Sequence, residues 1–220
     1  AAKSHRKKRR KKRRPKRVPL TAPTIWTQTF TNRDEIRFGR VGPADPYPSR
    51  ISVSGLPNAR ILDVDVLLHD LRHDRPSDVA IMLASPGGKA AVLMRNAGGD
   101  RPSPGVVLVL DDQAAEPMPH EPDARFVSGT YKPTNIGDAF GVFPPPAPQT
   151  VNNSALSNFN GENPNGDWRL YAVDDSPQND GLLVTGWSLV LVYELPGTPL
   201  KRPRPKPPRK RRPKHRKARR

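Results

Sequence analysis

Proline constrains this chain more than any other residue. There are 28 prolines, and 22 of them fall between residues 18 and 200. Each deletes a backbone donor and clashes inside a helix, at a cost of about 3 kcal/mol or more. Few windows of ten residues escape Pro or Gly, so long helices have little room and short strands joined by long loops are expected. Charge is partitioned as sharply. The chain carries 38 Lys+Arg against 21 Asp+Glu, a formal net charge of +17. Residues 1–17 hold 12 of the cations and residues 201–220 hold 13, with no acid in either segment. Residues 18–200 therefore carry a net charge of −8 and nearly all the apolar residues. An acidic globule flanked by two cationic arms is expected, not a chain disordered throughout. The 183 residues of the middle suit one domain with a sizeable core.

Cysteine is absent, which excludes a disulfide scaffold and any thiolate metal site. The longest apolar runs, such as Val106–Leu110, fall far short of the ~20 residues a membrane-spanning helix needs. The chain opens on Ala1-Ala2, and the expectation is a processed product whose export signal has already been removed.

Alternation marks the strands. Ile51–Ser54 ends at Gly55. Ile61–Leu68 sets Val64, Val66 and Leu68 on one face, with Asp63, Asp65 and Leu67 on the other. Val79–Leu83 and Ala91–Met94 flank Ser85-Pro86-Gly87-Gly88 and read as a hairpin. Val106–Leu110 is continuous, as in a strand buried on both faces. Trp168–Val173 and Trp187–Tyr193 complete the set, with Asn179-Asp180-Gly181 between them as a tight turn. Residues 132–165 are rich in Pro, Asn and Gly and read as a long ordered loop too polar for core. The expected fold is all-β, an antiparallel β-sandwich. It spans residues 21–198, between a disordered basic segment at 1–20 and a second, Pro-rich one at 199–220.

Those basic segments repel themselves and hold nothing to bury. Their densest runs are Arg9, Arg10, Lys11, Lys12, Arg13 and Arg14, and Arg209, Lys210, Arg211 and Arg212. Such arrays bind polyanions by releasing counterions, with steep salt dependence and little sequence preference. The candidate partners are a phosphate-rich cell-wall polymer, an anionic lipid surface or nucleic acid. A nuclear-localisation signal and a merely solubilising extension are the competing readings. Aromatic residues are missing from both segments, which gives no support to base stacking.

Several longer motifs carry a resemblance. Pro46–Leu56 opens the series. Asp63-Val64-Asp65-Val66 is followed by His73 and then by Ser77–Gly88. Next come Leu110–Ala115, Ser128–Asn135, Leu156–Gly161, Asn163–Trp168, Val173-Asp174-Asp175 and Gly186–Leu189. In this order, from about Thr29 to Val192, the chain resembles the P domain (P/Homo B) of subtilisin-like proprotein convertases, in its secreted bacterial branch. It departs from that pattern at Asp167, at Val79 and in the two basic segments. The resemblance implies a jelly-roll-like, galactose-binding-like sandwich on an exported protein. It also implies a domain that accompanies a protease domain without supplying the nucleophile, or a label of serine endopeptidase by association.

The chemistry-bearing residues agree that the middle is not an enzyme. No Gly-x-Ser-x-Gly elbow is present. His69, His73 and His120 are its only histidines, so any Ser-His-Asp arrangement must use one of them. His69 and His73 have the two-His spacing of a zinc helix, yet the general-base Glu is missing and the run continues a strand pattern. His73 is expected to stabilise the turn leading to Asp78. Asp111, Asp112, Asp174, Asp175 and Asp180 fall near strand ends, where carboxylates and loop carbonyls suit Ca²⁺. The competing reading is that these aspartates cap turns. Trp168 and Trp187 are expected in the core, and Trp26, ahead of the first matched strand, closes one end of the sandwich.

Overall fold

A computed structural model describes residues 21–139, 141–149, 152–177 and 181–197, the side chains of 181–183 excepted. These residues form thirteen strands: β1 Thr24–Asn32, β2 Ile36–Arg37, β3 Gly42–Pro43, β4 Ser49–Val53, β5 Arg60–His73, β6 Val79–Ala84, β7 Ala90–Arg95, β8 Ser103–Leu110, β9 Gly129–Tyr131, β10 Thr134–Asn135, β11 Gly166–Asp174, β12 Gly181–Val184 and β13 Trp187–Leu195. Among the described residues helical structure is limited to two 3-10 turns, Pro76–Asp78 and Leu156–Phe159. None of their helices is long and apolar enough to cross a membrane. Pro23–Pro196 make up one compact unit; Ala1–Ala22 and Gly197–Arg220 fall outside it.

Two sheets form a sandwich. In the first, β5 pairs with β13 and β12 along one side and with β8 along the other; β1 extends it beyond β13, β2 beyond β12 and β9 beyond β8. The second runs β10-β7-β6-β11, with β3 and β4 both pairing with β11. The main core lies between them and draws on both: Val64, Val66 and Leu68 from β5 meet Ile81, Leu83 and Leu93. Fully burying one such side chain stabilises the fold by roughly 1.5–3 kcal/mol. Trp168 and Trp187 are buried, as expected. Their indole N–H groups donate to the Pro164 carbonyl at 2.9 Å and to Ser49 Oγ at 3.0 Å.

Four expectations need correction. The sheets are mixed rather than wholly antiparallel, because β9 and β10 join β8 and β7 in parallel. Strand β8 alternates instead of being buried on both faces, and Val107 is exposed. Strand β6 is covered on both faces, as is its neighbour β7, because residues from 132–165 are not all outside the core. Ala139, Phe143 and Ala147 pack on its outer face with Met82 and Tyr171. The Tyr47 and Tyr171 hydroxyls hold that segment by donating to the Pro144 and Pro146 carbonyls. Leu156 and Phe159 enter the main core. Trp26 closes nothing: it lies within β1 and is exposed.

One irregularity positions the site. Leu68 and Leu71 of β5 face Leu108 and Val106 of β8, so three steps on one strand oppose two on the other. Such a bulge shifts the side-chain phase by one residue. Asp70 takes the left-handed conformation, φ 55°, which Asp tolerates better than most residues. Gly105 opposite leaves room for its carboxylate, since a Cβ there would collide with Asp70 Oδ1. Arg72 then grips that carboxylate through Nε, at 3.1 Å to each oxygen.

Candidate functional site

The bulge separates two histidines that regular alternation would put on one face. Before it, Val64, Val66 and Leu68 point inward and His69 outward; after it, Leu71 and His73 point inward.

His73 is fully buried with Asp174. Its Nδ1 accepts the Arg75 backbone N–H at 3.1 Å, so the ring proton sits on Nε2 and is donated to Asp174 Oδ2 at 3.1 Å. Asp174 Oδ1 accepts the Ser176 N–H at 3.0 Å, and Phe38 packs edge-on against the imidazole. Both ring nitrogens are engaged, and the pair ties β5 to β11 across the core. The expected role of His73 in fixing the turn toward Asp78 matches this geometry. Nearby, burial and the charges of Asp78 and Asp174 raise the Asp175 carboxyl above its ordinary range. Asp100 is held low by hydrogen bonds from Arg75 and Ser77.

His69 opens to the outer face. Its Nε2 lies 2.8 Å from Ser188 Oγ, which lies 2.8 Å from Thr31 Oγ1. The backbone fixes the ring's position: His69 N–H donates to the Gly186 carbonyl at 3.0 Å, and Thr185 N–H donates to the His69 carbonyl at 2.8 Å. Thr31, Arg33, His69, Thr185 and Ser188 line a hollow of about 490 Å³. A wider one of about 660 Å³ shares Thr31 and Arg33 and reaches Arg50. Gly186 lets this corner close. It has φ 124°, and a Cβ there would sit 2.5 Å from the Asn32 carbonyl oxygen and 2.9 Å from Arg33 Cα.

A Ser–His hydrogen bond is the first requirement of an activated nucleophile; a group orienting the other ring nitrogen and an oxyanion hole are the next two. Among the described residues no hydrogen bond reaches His69 Nδ1. The chain thus holds a Ser–His contact on one face and a His–Asp contact in the core. Among the described residues no imidazole combines the two. The sequence offers His69 as a zinc ligand and as one of three histidines open to a Ser-His-Asp arrangement, without naming its serine; Ser188 is 119 residues away, and no local signal joins them.

The aspartates expected to bind calcium fall into separate places. Asp111 and Asp112 follow β8 in the first sheet, whereas Asp174 ends β11 in the second and Asp175 follows it. Asp112 accepts the N–H groups of Leu156 and Ser157, at 2.9 and 2.7 Å, which caps the second 3-10 turn. Asp111 Oδ1 accepts the Gln113 N–H at 2.6 Å. Among the described residues no group of three or more His, Asp and Glu side chains is arranged to hold a metal ion. Asp180 and the ten polyanion-binding candidates, Arg9–Arg14 and Arg209–Arg212, lie outside the described residues. An unforeseen feature is Asp65, one Oδ of which is buried without a hydrogen-bond partner. Burial, with the charges of Asp111, Asp63 and Asp112, pushes its carboxyl up to about 6.

No protein-family model matches this chain, and no curated protein matches it. Among solved structures it is similar to the serine protease of Aeromonas sobria, with 14% identity over 80% of this chain and 28% of that one, at a TM-score of 0.35. The complex of that protease with its chaperone gives the same identity and coverage and a TM-score of 0.37. The chain spans less than a third of the protease chains it resembles.

Proposed function

We propose that this chain is a non-catalytic, exported β-sandwich module of P-domain type, tethered to an anionic polymer by its basic segments. The observation that carries the reading joins charge to register. Thr24 at the start of β1 pairs with Leu195 at the end of β13, so the two basic segments are attached to the sandwich at neighbouring residues. Twelve cations precede that point and 13 follow it. Two polybasic segments joined at one place act as a bivalent ligand, in which binding of one raises the effective concentration of the other. A phosphate-rich wall polymer is the proposed partner, with export and an accompanying protease domain taken from the sequence resemblance. Calcium forms no part of the proposal, because Asp111, Asp112 and Asp174 are spent on backbone and imidazole hydrogen bonds.

Binding to polyphosphate by four forms of the protein tests this: full length, lacking residues 1–20, lacking 199–220, and lacking both. Each single deletion should weaken binding and the double deletion abolish it. Equal binding by the doubly trimmed chain would overturn the reading. DNA run alongside distinguishes nucleic acid as the partner.

A hydrolytic reading has one observation in its favour, the 2.8 Å contact between Ser188 and His69. Labelling of Ser188 by a fluorophosphonate, lost in His69→Ala, would establish it; an unlabelled Ser188 supports the non-catalytic module.

A further inference from the structure

We propose that the hollow between Arg33, His69 and Ser188 is a binding site for the oxyanion head of a small ligand, a phosphate or sulfate group. This site is independent of the basic segments. Among the described residues its lining is one guanidinium, one imidazole and three hydroxyls, with no carboxylate; the Thr185 hydroxyl donates to the His69 carbonyl at 3.1 Å, which leaves Arg33, His69, Ser188 and Thr31 as the donor set. That donor set suits a tetrahedral oxyanion and repels no part of it.

Arg33 supplies the charge. Arg37, Arg50, Arg72, Arg75 and Arg101 each have a carboxylate partner. Arg33 forms no ion pair among the described residues, which leaves its planar fork free for a bidentate contact. Asp34 borders the wider hollow and not the smaller one, so the nearest acid in sequence does not occupy the site.

The hydroxyls supply a switchable relay. When Nε2 of His69 is unprotonated, Ser188 donates to it and Thr31 donates to Ser188, so both hydroxyl protons are used internally. When the ring proton moves to Nε2, the chain reverses: His69 donates to Ser188, Ser188 to Thr31, and the Thr31 proton is free to donate into the hollow. The neutral imidazole can adopt either arrangement because Nδ1 has no hydrogen-bond partner among the described residues. An oxyanion accepting from Thr31 therefore selects the Nε2–H tautomer without proton uptake. The wider hollow, continuous through Thr31 and Arg33, accommodates the organic body of a ligand whose head occupies the smaller one.

Inorganic phosphate titrated into the full-length protein at constant ionic strength tests this, with the His69 ring resonances followed by NMR. A saturable shift toward the Nε2–H signature is expected in wild type, and sulfate should reproduce it. Arg33 is exposed, so Arg33→Gln leaves the fold intact; it should weaken the response at least roughly tenfold, the size of one lost charge-assisted contact. Thr31→Val should remove the tautomer change. Arg9→Gln, in the first basic segment, should alter neither. The proposal is overturned if the resonances do not saturate, if chloride moves them equally, or if Arg33→Gln responds like wild type. Failure here would leave polyphosphate binding by the basic segments untouched.

Discussion

His69 and His73 share one strand, four residues apart, and their fates are opposite. One is sealed in the core with a carboxylate; the other meets a serine in a solvent-facing hollow. A single extra residue at Asp70 accounts for the difference, because side chains on a strand alternate and one added residue inverts everything after it. The two contacts are the halves of a hydrolytic triad, and the bulge distributes them over opposite faces of one sheet. A strand defect can thus govern which chemistry a sheet is able to assemble.

The largest effect should come from breaking the buried half. His73→Ala leaves buried Asp174 Oδ2 without its hydrogen-bond donor and a cavity where the ring stood, and should cost about 2–4 kcal/mol in chemical denaturation. His69→Ala removes one partly exposed hydrogen bond and should cost about 1 kcal/mol. Equal costs would erase the distinction between the two sites. Next comes the bulge. Gly105→Ala places a Cβ against Asp70 Oδ1 at a positive φ and should destabilise by about 1–3 kcal/mol; a neutral result would mean that Asp70 does not need that space.

A smaller loss, about 1 kcal/mol, is expected for Asp112→Ala, which uncaps the turn at Leu156–Phe159. The wild-type melting midpoint should not move with millimolar calcium; a rise abolished by Asp112→Ala would restore the metal assignment. The smallest effect has the opposite sign. Asp65 faces outward on the stretch of β5 that precedes the bulge, and its folded carboxyl holds a proton up to about 6, against an ordinary 3.8. The folded state then binds more protons than the unfolded one, so stability falls as pH rises between those values and stays reduced above them. Asp65→Asn should add about 1 kcal/mol at neutral pH, after allowance for solvent screening, and flatten that fall. An unchanged pH profile would remove Asp65 as its source.

Much of the sandwich was legible because alternation is local: Val64, Val66 and Leu68 announced their face, and Trp168 and Trp187 their burial. The bulge left one trace that was passed over: continued alternation from Leu68 would turn Asp70 inward and Leu71 outward. Its enabling residue, Gly105, is on another strand. β1 was missed because its partner, β13, lies at the far end of the chain and most of its side chains remain exposed. Residues 139–147 looked too proline-rich for core, yet Phe143 and two alanines suffice to cover β6 once tyrosine hydroxyls hold the segment in place. The hollow at Arg33 depends on Thr31, His69 and Ser188 meeting from three strands, which no spacing rule encodes.

The most direct measurement is the salt dependence of polyphosphate binding by the full-length chain. Counterion release from two polybasic segments requires the logarithm of affinity to fall steeply and linearly with the logarithm of salt concentration, and most of that slope to vanish when residues 1–20 and 199–220 are removed. A shallow slope, or one that survives the double deletion, would contradict a sandwich held to its partner by its basic ends.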